Sequence, residues 1–286
     1  MKFAVTGGAG FVGNNITRLL VSKGYSVVVI DNLHTGKKEN LEGVLEKIEF
    51  YQIDIRNYNE MEKILKNVDG IFHQAALTIV NESFEKTKEY FDVNVKGTEN
   101  IFKIAEKFKK KVVYASSSSI YGDSKQIPIK ENSDRNPINP YGQTKLEDEF
   151  LAEKYANRGL DVIGLRYFNI FGKGQTGSYA GVITQFMRKL NELKRPIIFG
   201  NGLQIRDFIH VSDIAEANLS AMLSKTNSGF FNIGTGVGTE IINLAKIMIK
   251  IFDSKFEPIF QDSLKGDVKI SQADIILTKK MINWES

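Results

Sequence analysis

The chain has 286 residues, which is ample for a sizeable core and, at roughly 150 residues per domain, for about two domains. Hydrophobic residues make up 42% and charged residues 25%, a globular composition that excludes a disordered chain. Lys+Arg 38 against Asp+Glu 34 leaves only +4, too little to argue for nucleic acid or an anionic membrane. The absence of Cys excludes a disulfide framework, a thiolate metal site and a Cys nucleophile, and three His leave little for a metal cluster.

Residues 2–6 (KFAVT) predict a short apolar strand that runs straight into glycines, unlike a signal peptide. No apolar run approaches the ~20 residues of a membrane span, so a cytoplasmic protein is expected. Phe11, Ile16, Leu19 and Leu20 recur at helical spacing over 11–23, and residues 26–30 (SVVVI) predict a β-branched strand. Further strands are expected at 48–53, 70–72 and 112–115. Helices are expected at 58–65 and near 90–108, the second with Val95, Ile101, Ala105 and Phe108 on one face. The run Lys107–Lys111 reads as a cationic helix C-terminus that suits the helix dipole. Pro140 opens another helix with Leu146, Phe150 and Leu151 as its apolar face, and Asp161–Arg166 predicts one more strand. Apolar strands alternating with amphipathic helices predict an α/β fold, a doubly wound parallel sheet covered on both sides.

After about residue 170 the elements shorten and glycine increases. A helix near 182–193, a strand at 196–199 and helices near 212–223 and 239–251 predict a smaller α/β lobe over 171–286. Asp207–Val211 is expected to return to the first sheet, within a segment near 205–230 that belongs with residues 1–170.

Thr6-Gly7-Gly8-Ala9-Gly10-Phe11-Val12-Gly13 joins the first strand to the first helix. Gly7 permits the tight turn, Gly10 lets the backbone approach a pyrophosphate, and Gly13 lets helix and strand pack closely with the helix N-terminus facing the phosphates. The second strand ends in Asp31, 31 − 13 = 18 residues after the last glycine and near the ~20 of a ribose-binding carboxylate. A carboxylate there binds ribose hydroxyls and repels a 2′-phosphate, which favours NAD over NADP. Asp54-Ile55 follows the third strand and reads equally as an adenine contact or a helix N-cap. Ala75 and Ala76, after His73, would let the chain pass near the cofactor. His73 and His210 read as packed histidines rather than ligands, and no metal partner accompanies either of them. His34 falls in the loop after Asp31.

Ser116-Ser117-Ser118-Ser119 ends the fifth strand at the crevice edge. Tyr141 and Lys145 stand i and i+4 on the helix opened by Pro140, so they share a face one turn apart. A free Tyr, with a pKa of ~10, is too protonated to act as a base at neutral pH, but a nearby ammonium and a nicotinium charge would both favour its phenolate. A serine hydroxyl can hydrogen-bond the reacting oxygen and shuttle its proton.

These residues sit within motifs that span nearly the whole chain. They are TGGAGFVG (6–13), DN (31–32), DI (54–55), HQAA (73–76), NVKGT (94–98), SSSSIYG (116–122), PYGQTK (140–145), RYFNIFG (166–172), GNGLQIRDFIHVSDIA (200–215), FNIGTG (231–236) and GDV (266–268). In this order they resemble the extended short-chain dehydrogenase/reductases, specifically nucleotide-sugar epimerases similar to UDP-galactose 4-epimerase. The resemblance implies a Rossmann domain over 1–170 and a nucleotide-sugar-binding lobe over 171–286. It implies NAD-dependent 4-epimerisation of a UDP-hexose, with Ser117, Tyr141 and Lys145 catalytic. Around NAD it places Gly7, Gly10, Phe11, Val12, Gly13, Asp31, Asn32, Leu33, Thr35, Gly36, Asp54, Ile55, Ala75, Ala76, Leu77, Asn94, Ser116, Tyr141, Lys145 and Tyr167, with Phe168 also beside the nicotinamide. Around the UDP-sugar it places Ser83, Ser117, Ser118, Asn169, Val182, Phe186, Phe199, Arg206, Asp267 and Ser271. It also implies a homodimer packed through the helices near 90–108 and 141–155.

The chain departs from the pattern at Leu264, where relatives usually carry a pyrophosphate-binding Arg; Lys265 follows as a substitute cation. It ends at Ser286, where relatives usually continue through a further helix. Ser118 and Ser119 stand where related dehydratases carry an Asp-Glu pair and decarboxylases a Glu, and Asp31 conflicts with the NADP-dependent reductases. Ser271 falls at the family's gate for sugar size, and a small residue there implies room for an N-acetyl group. The alternatives are another NAD-dependent nucleotide-sugar epimerase or oxidoreductase, or an NAD-binding module without catalysis.

Overall fold

The computed structural model describes residues 1–175, 181–264 and 266–286. The first half alternates strand and helix: β1 (Lys2–Thr6), α1 (Phe11–Ser22), β2 (Ser26–Ile30), β3 (Ile48–Tyr51), α2 (Tyr58–Leu65) and β4 (Gly70–His73). A helical run then passes through α3 (Val80–Glu85), α4 (Thr87–Tyr90), a π-helical stretch at Phe91–Lys96 and α5 (Gly97–Phe108). Next come β5 (Lys111–Ser117), α6 (Pro140–Ala156), β6 (Val162–Tyr167), β7 (Asn169–Phe171), α7 (Val182–Asn191) and β8 (Ile197–Phe199). The chain continues through β9 (Ile205–His210), α8 (Val211–Leu223), β10 (Ser228–Ile233), β11 (Gly238–Glu240) and α9 (Ile241–Ile251). It finishes with β12 (Ile259–Gln261), β13 (Ile270–Ser271) and α10 (Ile276–Ile282).

Seven strands form the central sheet in the order β3-β2-β1-β4-β5-β6-β10, every neighbouring pair parallel. The period-two alternation of each strand divides its side chains between two cores. Phe3, Val5 and Val29 face Ile16 and Leu20 of α1 and Ala215 and Leu219 of α8. Ala4, Val28 and Ile30 face Met61 and Leu65 of α2, Ile101 and Ala105 of α5, and Tyr155 of α6. This is the doubly wound sheet that the sequence predicts.

Two details differ from expectation. Ile205–His210 is a strand, but it pairs with β7, β11 and β13 in a separate four-stranded sheet. The strand that joins the main sheet is β10, beside β6. The reason lies in Asp207, which is fully buried and whose carboxylate accepts from Thr235 N and Oγ1, Gly236 N and Ala273 N. Those donors lie outside the main sheet, whereas β10 offers buried Phe231 and Ile233 to its core. On α6, Phe150 is exposed rather than inward, and the Arg135 guanidinium lies 5.1 Å from its ring centre. The inner face of α6 carries Leu146, Ala152 and Tyr155 together with Lys145, Asp148 and Glu149.

A smaller core of Phe186, Leu190, Ile198, Ile241, Leu244, Ala245 and Met248 builds the lobe from α7, β8 and α9, with β12 paired to β8. Among the described residues, no helix is long and apolar enough to cross a membrane.

Candidate active site

The parallel sheet sets where a ligand can sit, because open α/β sheets bind ligands at the C-terminal ends of their strands. At the end of β1 the chain turns through Gly7, whose φ of +67° is left-handed and leaves no room for a Cβ beside Ala75 N at 2.7 Å. A Cβ on Gly13 would stand 2.1 Å from the Gly7 carbonyl oxygen, so glycine is required for α1 to lie against the turn. Gly10 is the N-cap of α1 and no side chain caps this end. A Cβ there would meet only Gly7 O, at 3.2 Å. The turn is therefore closed towards the sheet and open outwards, with helix N–H groups facing the opening, which suits a diphosphate.

Asp31, at the end of β2, is 7% exposed. Its carboxylate accepts from Ala9 N at 3.0 Å and Leu33 N at 2.8 Å, which ties the second strand to the glycine turn. Burial pushes its pKa up, against the pull of these two N–H donors. Gly36 is needed beside it, since a Cβ there would stand 2.9 Å from both carboxylate oxygens. Leu33 takes a left-handed φ of 61°, and Thr35 is exposed on the same loop. Asn32 donates to Asp54 at 2.9 Å. Asp54 is not a helix cap: Asn57 caps α2, while Arg56 grips Asp54 through Nε and Nη2 and holds its pKa down at about 2. Ile55 is buried beneath Gly97.

Asn94, in the π-helical stretch, is fully buried and holds the 75–77 loop from behind. It accepts from Leu77 N at 2.8 Å and donates to Leu77 O at 3.0 Å and to Thr144 Oγ1 at 3.0 Å. Its amide is thus engaged by this loop and by Thr144. Ser116 is similar: its hydroxyl donates to Glu149 at 2.7 Å, inside a buried network with Arg166.

Ser117 ends β5 and is 7% exposed, with Oγ accepting from Ser119 N at 3.1 Å. Ser118 begins the 3-10 turn that follows. The first turn of α6 sits directly on this tip, because a Cβ on Gly142 would lie 2.7 Å from Ser119 O. Asn139 caps α6 by accepting from Gly142 N at 2.8 Å. Tyr141 N donates to Ser83 Oγ at 3.2 Å, so Ser83, itself fully buried, meets the site through the Tyr141 backbone. Lys145, one turn along, is 3% exposed and pairs with Asp148 at 3.0 Å. Tyr167 closes the group from β6, its hydroxyl 3.1 Å from Gln74 Oε1 and bonded to Asn218. Phe168, next along, is 5% exposed.

His73 lies behind these residues, 3% exposed, between Thr6 Oγ1 at 2.7 Å and Thr98 Oγ1 at 2.9 Å. It is a packed histidine. Burial, with the Lys145 ammonium adding to it, pushes its pKa down to about 3. The unfolded chain therefore binds a proton below about pH 6.5 that the native ring does not, and stability is lost as pH falls through that window. The slope is at most one proton, about 1.4 kcal/mol per pH unit. In urea unfolding at pH 7.5 and 5.0, the advantage of wild type over His73→Asn is expected to shrink on acidification; equal changes in both proteins would contradict this. His210 is exposed instead, capping α8 and stacking edge-on against Phe171. His34 is exposed.

On the lobe side, Arg206 of β9 is 7% exposed, donates to Ile205 O at 2.8 Å and is ion-paired with Asp267. Ser271 of β13 is its register partner on the neighbouring parallel strand and is 6% exposed. Asn169 begins β7, opposite Phe208 of β9. Val182 opens α7 and Phe199 ends β8, both half-buried, whereas Phe186 is 1% exposed within the lobe core. Lys265 lies outside the described residues; Leu264 is exposed. Among the described residues, no group of three His, Cys, Asp or Glu is placed to hold a metal ion. Two polar residues outside the motifs carry contacts at the site, Asp148 against Lys145 and Asn218 against Tyr167, and Gln74, within HQAA, meets Tyr167 as well. An acid at i+3 from a helical Lys was the only signal for the first.

A glycine turn open to a diphosphate, an acid closing the second strand and a Tyr-Lys pair on the following helix face define a dinucleotide-dependent enzyme fold. The NAD dependent epimerase/dehydratase family matches residues 3–234, and the chain belongs to that family. Among curated proteins it is 34% identical over 305 residues to the UDP-N-acetyl-alpha-D-glucosaminuronate decarboxylase of Bacillus cytotoxicus, spanning 98% of this chain and 93% of that one. Among solved structures it resembles the UDP-glucose 4-epimerase of Thermotoga maritima with UDP-glucose, at a TM-score of 0.95 and 34% identity over 100% of this chain and 93% of that chain. It resembles equally the UDP-N-acetylglucosamine 4-epimerase of Methanobrevibacter ruminantium in complex with UDP-N-acetylmuramic acid, at a TM-score of 0.95 and 34% identity over 99% and 92% of the two chains.

Proposed function

We propose that this protein catalyses the reversible 4-epimerisation of a UDP-hexose through a transient 4-keto sugar, and that it accepts N-acetylhexosamine forms as well. The observation that carries the reading is the seating of the Tyr141 turn of α6 on the serine tip of β5, with Lys145 one turn along. The 34% identity to two 4-epimerases of known structure supports it.

The glycine turn, Asp31 and the 75–77 loop fit NAD: the turn leaves space where a Cβ would intrude, and the acid sits at ribose distance along the sequence. When bound, NAD supplies an acceptor for the hydride at the sugar C4 and gives the same hydride back. Tyr141, as phenolate, removes the 4-OH proton and later returns it. Ser117 hydrogen-bonds that oxygen and holds it in line. Lys145 contributes an ammonium that favours the phenolate and donates to the nicotinamide ribose. Inversion requires the keto sugar to turn over while its nucleotide stays held. Strong contacts therefore belong on UDP, where Arg206 offers a guanidinium fork to phosphate oxygens and Asn169 adds a donor. Phe199 and Val182 would border the nucleotide side, Val182 being packed against the lobe core that contains Phe186.

The family also contains dehydratases, and one relative is named as a decarboxylase. Ser118 and Ser119 offer no carboxyl group for elimination or for handling a carboxylated sugar, which favours epimerisation. We infer the N-acetyl activity from Ser271, a small side chain beside Arg206. Ser271→Tyr is expected to cut kcat/KM for UDP-GalNAc at least tenfold more than for UDP-galactose, since a ring would fill the acetamido space at an overpacking cost of about 1–3 kcal/mol. Equal losses on both substrates would remove Ser271 from that role. A cytoplasmic homodimer formed through α5 and α6 belongs to the same proposal; light scattering at micromolar protein tests the dimer. The function itself is tested by supplying UDP-galactose and UDP-GalNAc separately to the purified protein, with conversion of each to its 4-epimer as the expected result.

A further inference from the structure

The proposed chemistry uses Lys145 but not the residue that holds it. Lys145 and Asp148 are 3% and 0% exposed, and Nζ donates to Oδ2 at 3.0 Å. The other carboxylate oxygen, Oδ1, is buried with no hydrogen-bond partner. The next acid on the helix, Glu149, is engaged elsewhere, by Arg166 Nε and Nη2, both at 2.8 Å. From α5, Thr98 faces the Asp148 carboxylate, and its hydroxyl lies 2.9 Å from His73 Nε2. His73 in turn reaches Thr6, the residue that begins the glycine turn, at 2.7 Å. A buried polar chain therefore runs from the turn to Thr98, which stands beside the Asp148–Lys145 pair.

We propose that Asp148 is a positioning residue for the reaction: its buried carboxylate fixes the Lys145 ammonium on the α6 face it shares with Tyr141. An ammonium taken out of water without a counter-charge is costly, and the buried carboxylate supplies that counter-charge at 3.0 Å. An ammonium free to swing away from this face would act on Tyr141 much less. The carboxylate sits three residues along the same helix, so it holds the ammonium without a mobile segment between them. Asp148 acts only through Lys145, and the proposal rests on the reading of Lys145 as the cation beside Tyr141.

The test is a double-substitution cycle on the full chain with Asp148→Asn, Lys145→Met and the pair. kcat and KM are measured for UDP-galactose with saturating NAD, and thermal midpoints are measured without cofactor. Asp148→Asn is expected to lower kcat about tenfold or more with KM changed less than about threefold; in the Lys145→Met background it should change the residual kcat less than about twofold. A second readout needs no activity. Lys145→Met alone strands a buried carboxylate, so the double variant is expected to melt above it, because removing both partners is milder than removing one. That comparison decides the matter even if Asp148→Asn alone does not fold. Equal kcat losses in both backgrounds, a wild-type kcat for Asp148→Asn, or a double variant no more stable than Lys145→Met would each overturn the proposal. A fully active Lys145→Met would overturn the reading of Lys145 and this proposal together. An inactive Lys145→Met with no coupling to Asp148 would overturn this proposal alone.

Discussion

Tyr141→Phe is expected to lower kcat at least about 10³-fold while leaving NAD bound, because it removes the proposed acid–base group and little else. The substitution keeps the ring. It leaves the Tyr141 N to Ser83 Oγ bond and the Asn139 cap of α6 intact, so the first turn of that helix should not move. The glycine turn and Asp31 lie on other elements and should still hold the cofactor. Turnover of UDP-galactose and the NAD released on denaturing the protein measure the two halves separately. A variant within tenfold of wild type would remove Tyr141 from the chemistry, and a variant lacking NAD would mean the ring is needed for binding instead.

The second large effect is expected at the glycine turn, where two substitutions should behave differently. A Cβ on Gly13 would meet Gly7 O at 2.1 Å, Gly7 C at 2.7 Å and Gly8 Cα at 2.8 Å, all backbone atoms that cannot swing aside. Gly13→Ala must therefore lift α1 from the turn, at a cost of about 1–3 kcal/mol, or a drop in thermal midpoint of about 2–10 °C for a chain of this size. With the helix displaced, NAD affinity is expected to fall at least about a hundredfold, since the N–H groups no longer converge on the diphosphate. Gly10→Ala meets only Gly7 O, at 3.2 Å, so its thermal midpoint without cofactor should change little. Its methyl group would instead project into the opening and weaken NAD. Calorimetric titration of NAD and melting of both variants check this. A Gly13→Ala protein that melts and binds like wild type would contradict the account of the turn.

The fold was legible where one physical requirement acted alone. β1 is a short apolar run and β2 a β-branched one, each buried on both faces, and Gly7 and Gly13 at the β1–α1 turn are compelled by contacts of 2.1 to 2.9 Å. The i, i+4 placement of Tyr141 and Lys145 follows from helix geometry once Pro140 is read as the first helical position. What was not legible depends on pairing across the chain. Residues 207–211 read as a strand returning to the first sheet and 228–233 carry no strand expectation, yet the donors from Thr235, Gly236 and Ala273 to Asp207 hold β9 in the smaller sheet. The inner face of α6 was misread because it buries Lys145, Asp148 and Glu149, whereas Phe150 lies outside under Arg135. A helix that buries its charges in ion pairs has no apolar stripe to read. For the same reason, the family resemblance could single out Ser83, Ser116 and Asn94 but could not show that their side-chain polar groups are engaged by the protein's own backbone and side chains.

The central claim is that the sugar is oxidised and reduced again in one pocket, with the hydride recycled. It is tested most directly by giving the purified protein UDP-galactose deuterated at C4, with no NAD added beyond what the protein carries. The account predicts conversion to UDP-glucose with the deuterium still at C4 and no net change in cofactor oxidation state. Conversion with loss of the deuterium to solvent, or accumulation of reduced cofactor in proportion to product, would contradict it.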